Sequence, residues 1–137
     1  MAPARCTGEA SLKSYMRTPE QRLGELGERL AAEYVQKKGM RILEHNYRIR
    51  GGEIDLIAQD GREVVFIEVK TRASREFGHG VEAVDAKKQR ALLRTARLYL
   101  YRHGGWEQPA RFDVVELDFS DKPAHLRYWK NVIFEIT

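Results

Sequence analysis

A single cysteine, Cys6, serves the whole chain of 137 residues. One thiol can make neither an intramolecular disulfide nor a multi-cysteine zinc site, which leaves the cytoplasm as the expected compartment. The four histidines, His45, His79, His103 and His125, are scattered without a second histidine or cysteine at helical ligand spacing, and they read as surface or loop residues. Nowhere do about 18 apolar residues run together, so no membrane partner is expected. Residues 1–18 carry Arg5, Glu9, Lys13 and Arg17 but no apolar stretch of the signal-peptide kind, and read as a flexible N-terminal arm. Internal repeats, low-complexity tracts and interdomain linkers are also missing. Residues 19–137 are therefore expected to form one domain, and a chain of this length removes roughly two-thirds of its unfolded surface from water without staples.

What the chain has is an uneven charge distribution. The net charge is only +4, from 24 Lys plus Arg against 20 Asp plus Glu, a value too ordinary to indicate a partner. Its placement says more. Residues 1–69 are balanced, with 11 basic and 11 acidic side chains, whereas residues 70–102 hold nine basic and three acidic. A helix expected from about Val84 to Arg102 repeats Lys87, Arg90, Arg94 and Arg97 on one face, opposite Leu92, Ala96, Tyr99 and Leu100. A solvated face normally mixes both signs at four-residue spacing, and this one does not. It is a candidate surface for a phosphate backbone.

Thr18-Pro19 is a helix start, and the helix is expected to run to Lys38, with Gly39 ending it. Leu23, Leu26, Leu30 and Tyr34 form its apolar stripe, flanked by the small residues Gly24, Gly27 and Ala31, which permit close approach to a sheet. Strand character follows at about Arg41 to Arg48, Glu53 to Gln59, Glu63 to Lys70, Arg111 to Asp118 and Leu126 to Val132. Thr71 to Gly80 and His103 to Pro109 read as loops. The order of helix, three strands, helix and two strands implies an α/β fold with a mixed central sheet flanked by helices.

Charges interrupt the apolar strands in Gly52-Glu53-Ile54-Asp55-Leu56-Ile57 and Val65-Phe66-Ile67-Glu68-Val69-Lys70. With Asp60 and Gly61 as a two-residue loop, Asp55 pairs with Phe66 and Glu53 with Glu68. Glu53, Asp55, Glu68 and Lys70 then share one side of the hairpin, and Ile54, Leu56, Ile67 and Val69 the other. Carboxylates packed this closely repel each other unless a cation sits among them. Lys70 offsets one charge, and a hard divalent cation such as Mg²⁺ or Mn²⁺ suits the remainder. The bland alternative is a cross-strand salt bridge on a solvated face.

An acid in one strand followed by Glu-x-Lys in its hairpin partner resembles the PD-(D/E)xK nuclease signature, with Ile54 where the nominal proline stands. Four blocks, Gly27 to Tyr34, Gly52 to Ile57, Phe66 to Arg72 and Arg111 to Val115, together resemble the YraN-like family of bacterial proteins. That resemblance implies a restriction-endonuclease-like fold of the archaeal Holliday junction resolvase type. It implies that Asp55 and Glu68 hold a metal with the Val69 backbone carbonyl, and that Lys70 orients or activates the attacking water. It also assigns a first-helix glutamate to Glu28. Helical phase agrees, placing Glu28 about 140° from Leu23, near the small-residue strip, and Glu25 about 200° away. Glu53, Lys88 and Gln89 are further site candidates.

The leading expectation is a metal-dependent endonuclease acting on DNA, including branched DNA, with Arg72, Arg75, Lys87, Arg90, Arg94 and Arg97 contacting the backbone. The alternative is a non-catalytic nucleic-acid-binding protein of the same fold; acids facing a polyanion argue against it. A third reading is an interaction protein with a polar sheet face. Two strands to be cut would suit a homodimer, by analogy with resolvases. Trp106, Trp129, Tyr128 and Phe134 read as core or interface packing rather than base-stacking residues.

Overall fold

The computed structural model describes residues 17–73 and 86–132. Helix α1, Pro19–Lys37, begins where expected. Thr18 Oγ1 accepts the Gln21 N–H at 3.1 Å and the Gln21 side-chain oxygen accepts the Thr18 N–H at 2.9 Å, a reciprocal cap that satisfies two otherwise orphaned donors. Gly39, at φ +95°, turns the chain out of the helix.

Strands β1 (Arg41–Ile49), β2 (Gly52–Asp60) and β3 (Glu63–Arg72) form an antiparallel meander. Helix α2 (Ala86–Arg102) carries the chain across to β4 (Ala110–Asp118), which runs parallel to β3, and β5 (His125–Trp129) closes the edge antiparallel to β4. The sheet order is β1-β2-β3-β4-β5. Cores form on both faces. One joins Ile57, Val64, Phe66 and Phe112 to Leu92, Ala96, Tyr99 and Leu100 of α2; the other joins Leu56, Val65, Ile67, Val115 and Leu117 to Ala31, Ala32 and Val35 of α1. Helix, sheet and helix make three layers, a mixed α/β arrangement of the restriction-endonuclease-like kind. No helix among the described residues is long and apolar enough to cross a membrane.

Several boundaries differ from the sequence expectation. β3 takes in Thr71 and Arg72, expected in a loop, because they pair with Leu117 and Asp118 of β4. β5 stops at Trp129, although the Val132 N–H still bonds the Phe112 carbonyl at 2.7 Å. The β2–β3 turn is centred on Gly61 and Arg62 rather than Asp60 and Gly61: Asp60 pairs with Glu63, and Gly61 takes φ +60°. A positive φ at the first loop residue suits a hairpin turn that follows strand twist. Asp60 is held in the strand because its carboxylate accepts from Arg111 Nη2 at 2.9 Å. The remainder of the expected 71–80 loop from residue 74, and the expected helix start at Val84, lie outside the described residues, as do residues 1–16 of the arm.

The small residues of α1 divide into two kinds. A Cβ on Gly27 would stand 1.9 Å from Thr71 Cγ2, so glycine there is what lets α1 seat against β3. A Cβ on Gly24 would meet nothing within 4 Å. Gly27→Ala should therefore destabilise the chain by about 1–3 kcal/mol through overpacking, while Gly24→Ala should stabilise it by about 0.5–1 kcal/mol through helix propensity. Thr71→Ser, which removes the clashing methyl, should recover part of the Gly27→Ala loss in a double-mutant cycle read by urea denaturation.

Candidate metal and phosphate site

β2 and β3 part company after Leu56 and Ile67, the last pair of their ladder. The next residue on each strand is an acid, Asp55 on one and Glu68 on the other. Asp55 does not stand on either face: its Oδ2 accepts the Val69 N–H at 2.8 Å, so its carboxylate spans the opening between the strands and takes over a backbone donor that the ladder no longer satisfies. This turn of β2 changes the expected facing. Leu56 packs toward α1, but Ile54 packs with Ile57 toward α2, so the two do not share a side. Glu53 pairs with exposed Arg48 at 3.0 Å while also lining the cavity beside Asp55 and Glu68.

Glu68 is buried, at 7% exposure, and two lysines converge on it. Lys70 Nζ lies 3.3 Å from Oε2, and Lys88, from the first turn of α2, pairs with the same oxygen. Helix α2 reaches this close because Gly52 lies under it: a Cβ there would be 2.0 Å from Thr95 Oγ1 and 3.1 Å from the Ala91 carbonyl. Gln89 follows Lys88, half-buried. Burial and the neighbouring Glu68 charge push the Asp55 carboxyl up to about 8, against the Val69 hydrogen bond, which pulls it down. Burial also lowers Lys70, helped by Lys88 and opposed by Glu68. For Lys88, burial acts downward too, but its bonds to Glu68 and Lys70 prevail and leave it raised. Of the pair, Lys70 is therefore the one that gives up its proton more readily.

Asp55 also lines a second cavity, of about 340 Å³, on the α1 side with Glu28, Glu25, Arg29, Glu33 and His45. Glu28 is raised by burial and by the charges of Glu53 and Glu25, partly offset by a hydrogen bond with Asn46. The first-helix glutamate therefore faces the same carboxylate as the expected site, and Glu25 shares the cavity wall while pairing with Arg17. Asn46, at φ +51° in mid-strand between His45 and Tyr47, is a three-dimensional feature that no local sequence signal announces.

The donor chemistry fits a hard divalent ion. Asp55 and Glu68 provide neighbouring carboxylates whose mutual repulsion a cation would relieve, and each has a second oxygen besides the one bonded to Val69 or the lysines. Among the described residues no group of three His, Cys, Asp or Glu side chains is set to hold a metal ion. Two carboxylates are a partial set, of the sort Mg²⁺ completes with water and phosphate oxygens.

The expected backbone contacts fare differently. Lys87 and Arg90 are exposed on α2, Arg97 is half-buried, and exposed Arg94 donates to the Gly51 carbonyl at 2.7 Å, tying the helix to the β1–β2 turn. Arg72 is a correction: its side chain is only 10% exposed and pairs with buried Glu116, because β3 extends through it into the sheet. It is an interior ion pair rather than a phosphate contact. Arg75 lies outside the described residues.

The model for "Uncharacterised protein family UPF0102" matches residues 27–117, a span that contains Glu28, Asp55, Glu68, Lys70 and Lys88. The chain belongs to this family. A UPF0102 protein from Symbiobacterium thermophilum is 57% identical over 97 residues, covering 71% of this chain and 82% of the relative. Another from Chlorobium limicola is 53% identical over 95 residues, with 69% and 74% covered. A third, from a Janthinobacterium species, is 41% identical over 117 residues, with 85% and 91% covered. The UPF0102 assignment is the family expected from the four sequence blocks.

Proposed function

We propose that this UPF0102 chain is a metal-dependent endonuclease that hydrolyses DNA phosphodiester bonds. The observation that carries the reading is the meeting of Asp55, Glu68, Lys70 and Lys88 where β2 and β3 separate, within reach of the basic face of α2. A salt bridge alone would need one acid and one base. Two acids at hydrogen-bonding distance inside the protein cost stability, which is the pattern of a site that binds a cation.

In this reading Asp55 and Glu68 hold Mg²⁺ or Mn²⁺, with the Val69 carbonyl nearby. When bound, the ion polarises the phosphate and makes a water more acidic. Lys70, which gives up its proton more readily than Lys88, orients the attacking water or takes its proton. Lys88 keeps its charge and stands opposite the negative charge that develops on the phosphate. Glu28 orients water from the α1 side of Asp55. Lys87, Arg90 and Arg97 follow the backbone and give affinity without base choice.

The test is to incubate wild type and Glu68→Gln with linear, flapped and four-way-junction DNA in Mg²⁺, Mn²⁺ or EDTA. Metal-dependent product from wild type, lost in the variant, is expected. Equal, metal-independent traces from both proteins would mean contamination and end the nuclease reading; binding without cleavage under every condition would favour a non-catalytic binder.

A further inference from the structure

Among the described residues, two large hydrophobic side chains remain exposed, Tyr101 at 65% and Trp106 at 61%. They are not scattered. Their rings meet edge to face with centroids 6.0 Å apart, forming one aromatic patch at the C-terminal end of α2. Core or interface packing was expected for Trp106; the structure places it outside the core of the chain. Gly104 and Gly105, at φ +119° and +107°, end the helix, and the Gly105 N–H donates to the Leu100 carbonyl at 2.7 Å. Gln108 Nε2 then donates to the carbonyls of His103 and Gly105 at 2.9 and 3.1 Å. Trp106 thus projects from a loop braced on both sides.

The patch is continuous with the basic face. Lys87, Arg90, Arg94, Arg97 and Tyr101 follow one another at alternating steps of three and four residues, a single stripe along α2. Tyr101 is its last member. Arg97 and Trp106 also share a cavity of about 210 Å³ floored by Phe66, Leu93 and Phe112. A row of cations ending in exposed aromatic faces matches the chemistry of a nucleic-acid strand whose phosphates meet the arginines and whose unpaired base stacks on an aromatic ring. A fully paired duplex offers no free base face to such a platform.

From this, and resting on the nuclease reading above, the geometry points to Trp106 and Tyr101 as a stacking platform for an unpaired nucleobase, so that the preferred substrate is DNA with a single-stranded or flapped segment. Lys88 and Tyr101 are thirteen positions apart on one helix, about 20 Å along its axis at 1.5 Å per residue, so the unpaired base should lie several nucleotides from the phosphate that is cut.

The test uses a duplex bearing a flap with 2-aminopurine placed in turn at successive positions of the unpaired segment, and the same sequence fully paired. Affinity is read by anisotropy and stacking by 2-aminopurine quenching, in EDTA so that binding is separated from cleavage. Wild type should bind the flapped DNA more tightly and quench the probe. Trp106→Ala and, separately, Tyr101→Ala should each weaken flap binding about tenfold and reduce quenching, while duplex affinity stays within twofold; Trp106→Phe should retain most of both. Tyr101 is so exposed that its truncation leaves packing intact, and circular dichroism checks both folds. Equal affinity for flap and duplex, untouched by either variant, would overturn the platform and leave the nuclease reading standing. Loss of self-association in Trp106→Ala, with unchanged flap binding, would make the patch an interface between copies and overturn it too. No binding to any DNA would remove both readings together.

Discussion

Asp55→Asn should abolish metal-dependent cleavage, by on the order of 10³-fold, and at the same time make the metal-free protein more stable. The two effects have one cause. Asparagine keeps the oxygen that accepts the Val69 N–H but removes a charge that is desolvated and faces Glu68. The sign with pH follows from the raised carboxyl. Below the ordinary value of 3.8, Asp55 is protonated in both folded and unfolded chains, and its contribution is fully present. Between there and about 8 the folded chain holds the proton and the unfolded chain does not, so stability falls as pH rises. Thermal melts in EDTA should therefore show the variant's advantage growing from pH 5 to pH 8. Adding Mg²⁺ should raise the wild-type melting temperature more at pH 8 than at pH 6, since cation and proton compete for the same carboxyls. A variant less stable than wild type at pH 8 would mean that Asp55 is a structural hydrogen-bond acceptor and nothing more.

This coupling of stability loss to site geometry explains what the sequence could and could not disclose. Alternation, capping and turn residues placed the seven elements, because Thr18, Gly39 and the apolar strands act over a few neighbouring positions. The hairpin turn was placed one residue early because Arg111, some fifty residues away, holds Asp60 in the strand. The predicted clustering survived that error: moving the turn by one residue moves the register by two, which preserves side-chain parity. What parity could not supply was the separation of β2 from β3. Asp55 leaves the alternation at the point where its ladder ends, and only the pairing of both strands with other neighbours determines where that is.

β4 illustrates a different limit. Read alone, Arg111 to Asp118 is an apolar strand with four charges, and an edge position would have accommodated them. The structure makes it an inner strand, buried from Arg111 to Asp118, and every charge is consumed internally. Arg72 and Arg127 meet Glu116 from β3 and β5, which is why Arg72 is withdrawn from the surface. Arg111 and Asp113, two apart, face the same way, and that spacing was the available signal that they are each other's partners.

That last network supports the largest stability effect expected in the chain. Arg111, with 4% of its side chain exposed, divides three nitrogens among Asp113, Glu63 and Asp60, at 3.1, 2.6 and 2.9 Å. Burial alone would weaken its protonation, but the three acids overcome this and hold it above its ordinary value. Asp113 is fully buried and also accepts from the Tyr128 hydroxyl and from the Asn131 N–H at 2.8 Å. Arg111→Met keeps the volume but strands the Asp113 charge, at a cost of about 3–5 kcal/mol in chemical denaturation. Adding Asp113→Asn should restore part of the loss, since the amide oxygen still accepts from Asn131 and no charge remains. Arg111→Lys should fall between, because one ammonium cannot reach three acids arranged for a planar fork. The metal-dependent cleavage proposed above should change little in the folded fraction of all three, as Asp60 and Glu63 lie at the turn while the β2–β3 ladder opens beyond Leu56 and Ile67, at its other end. Were Arg111→Met to unfold at the wild-type denaturant midpoint, the network would be a consequence of packing and not one of its causes.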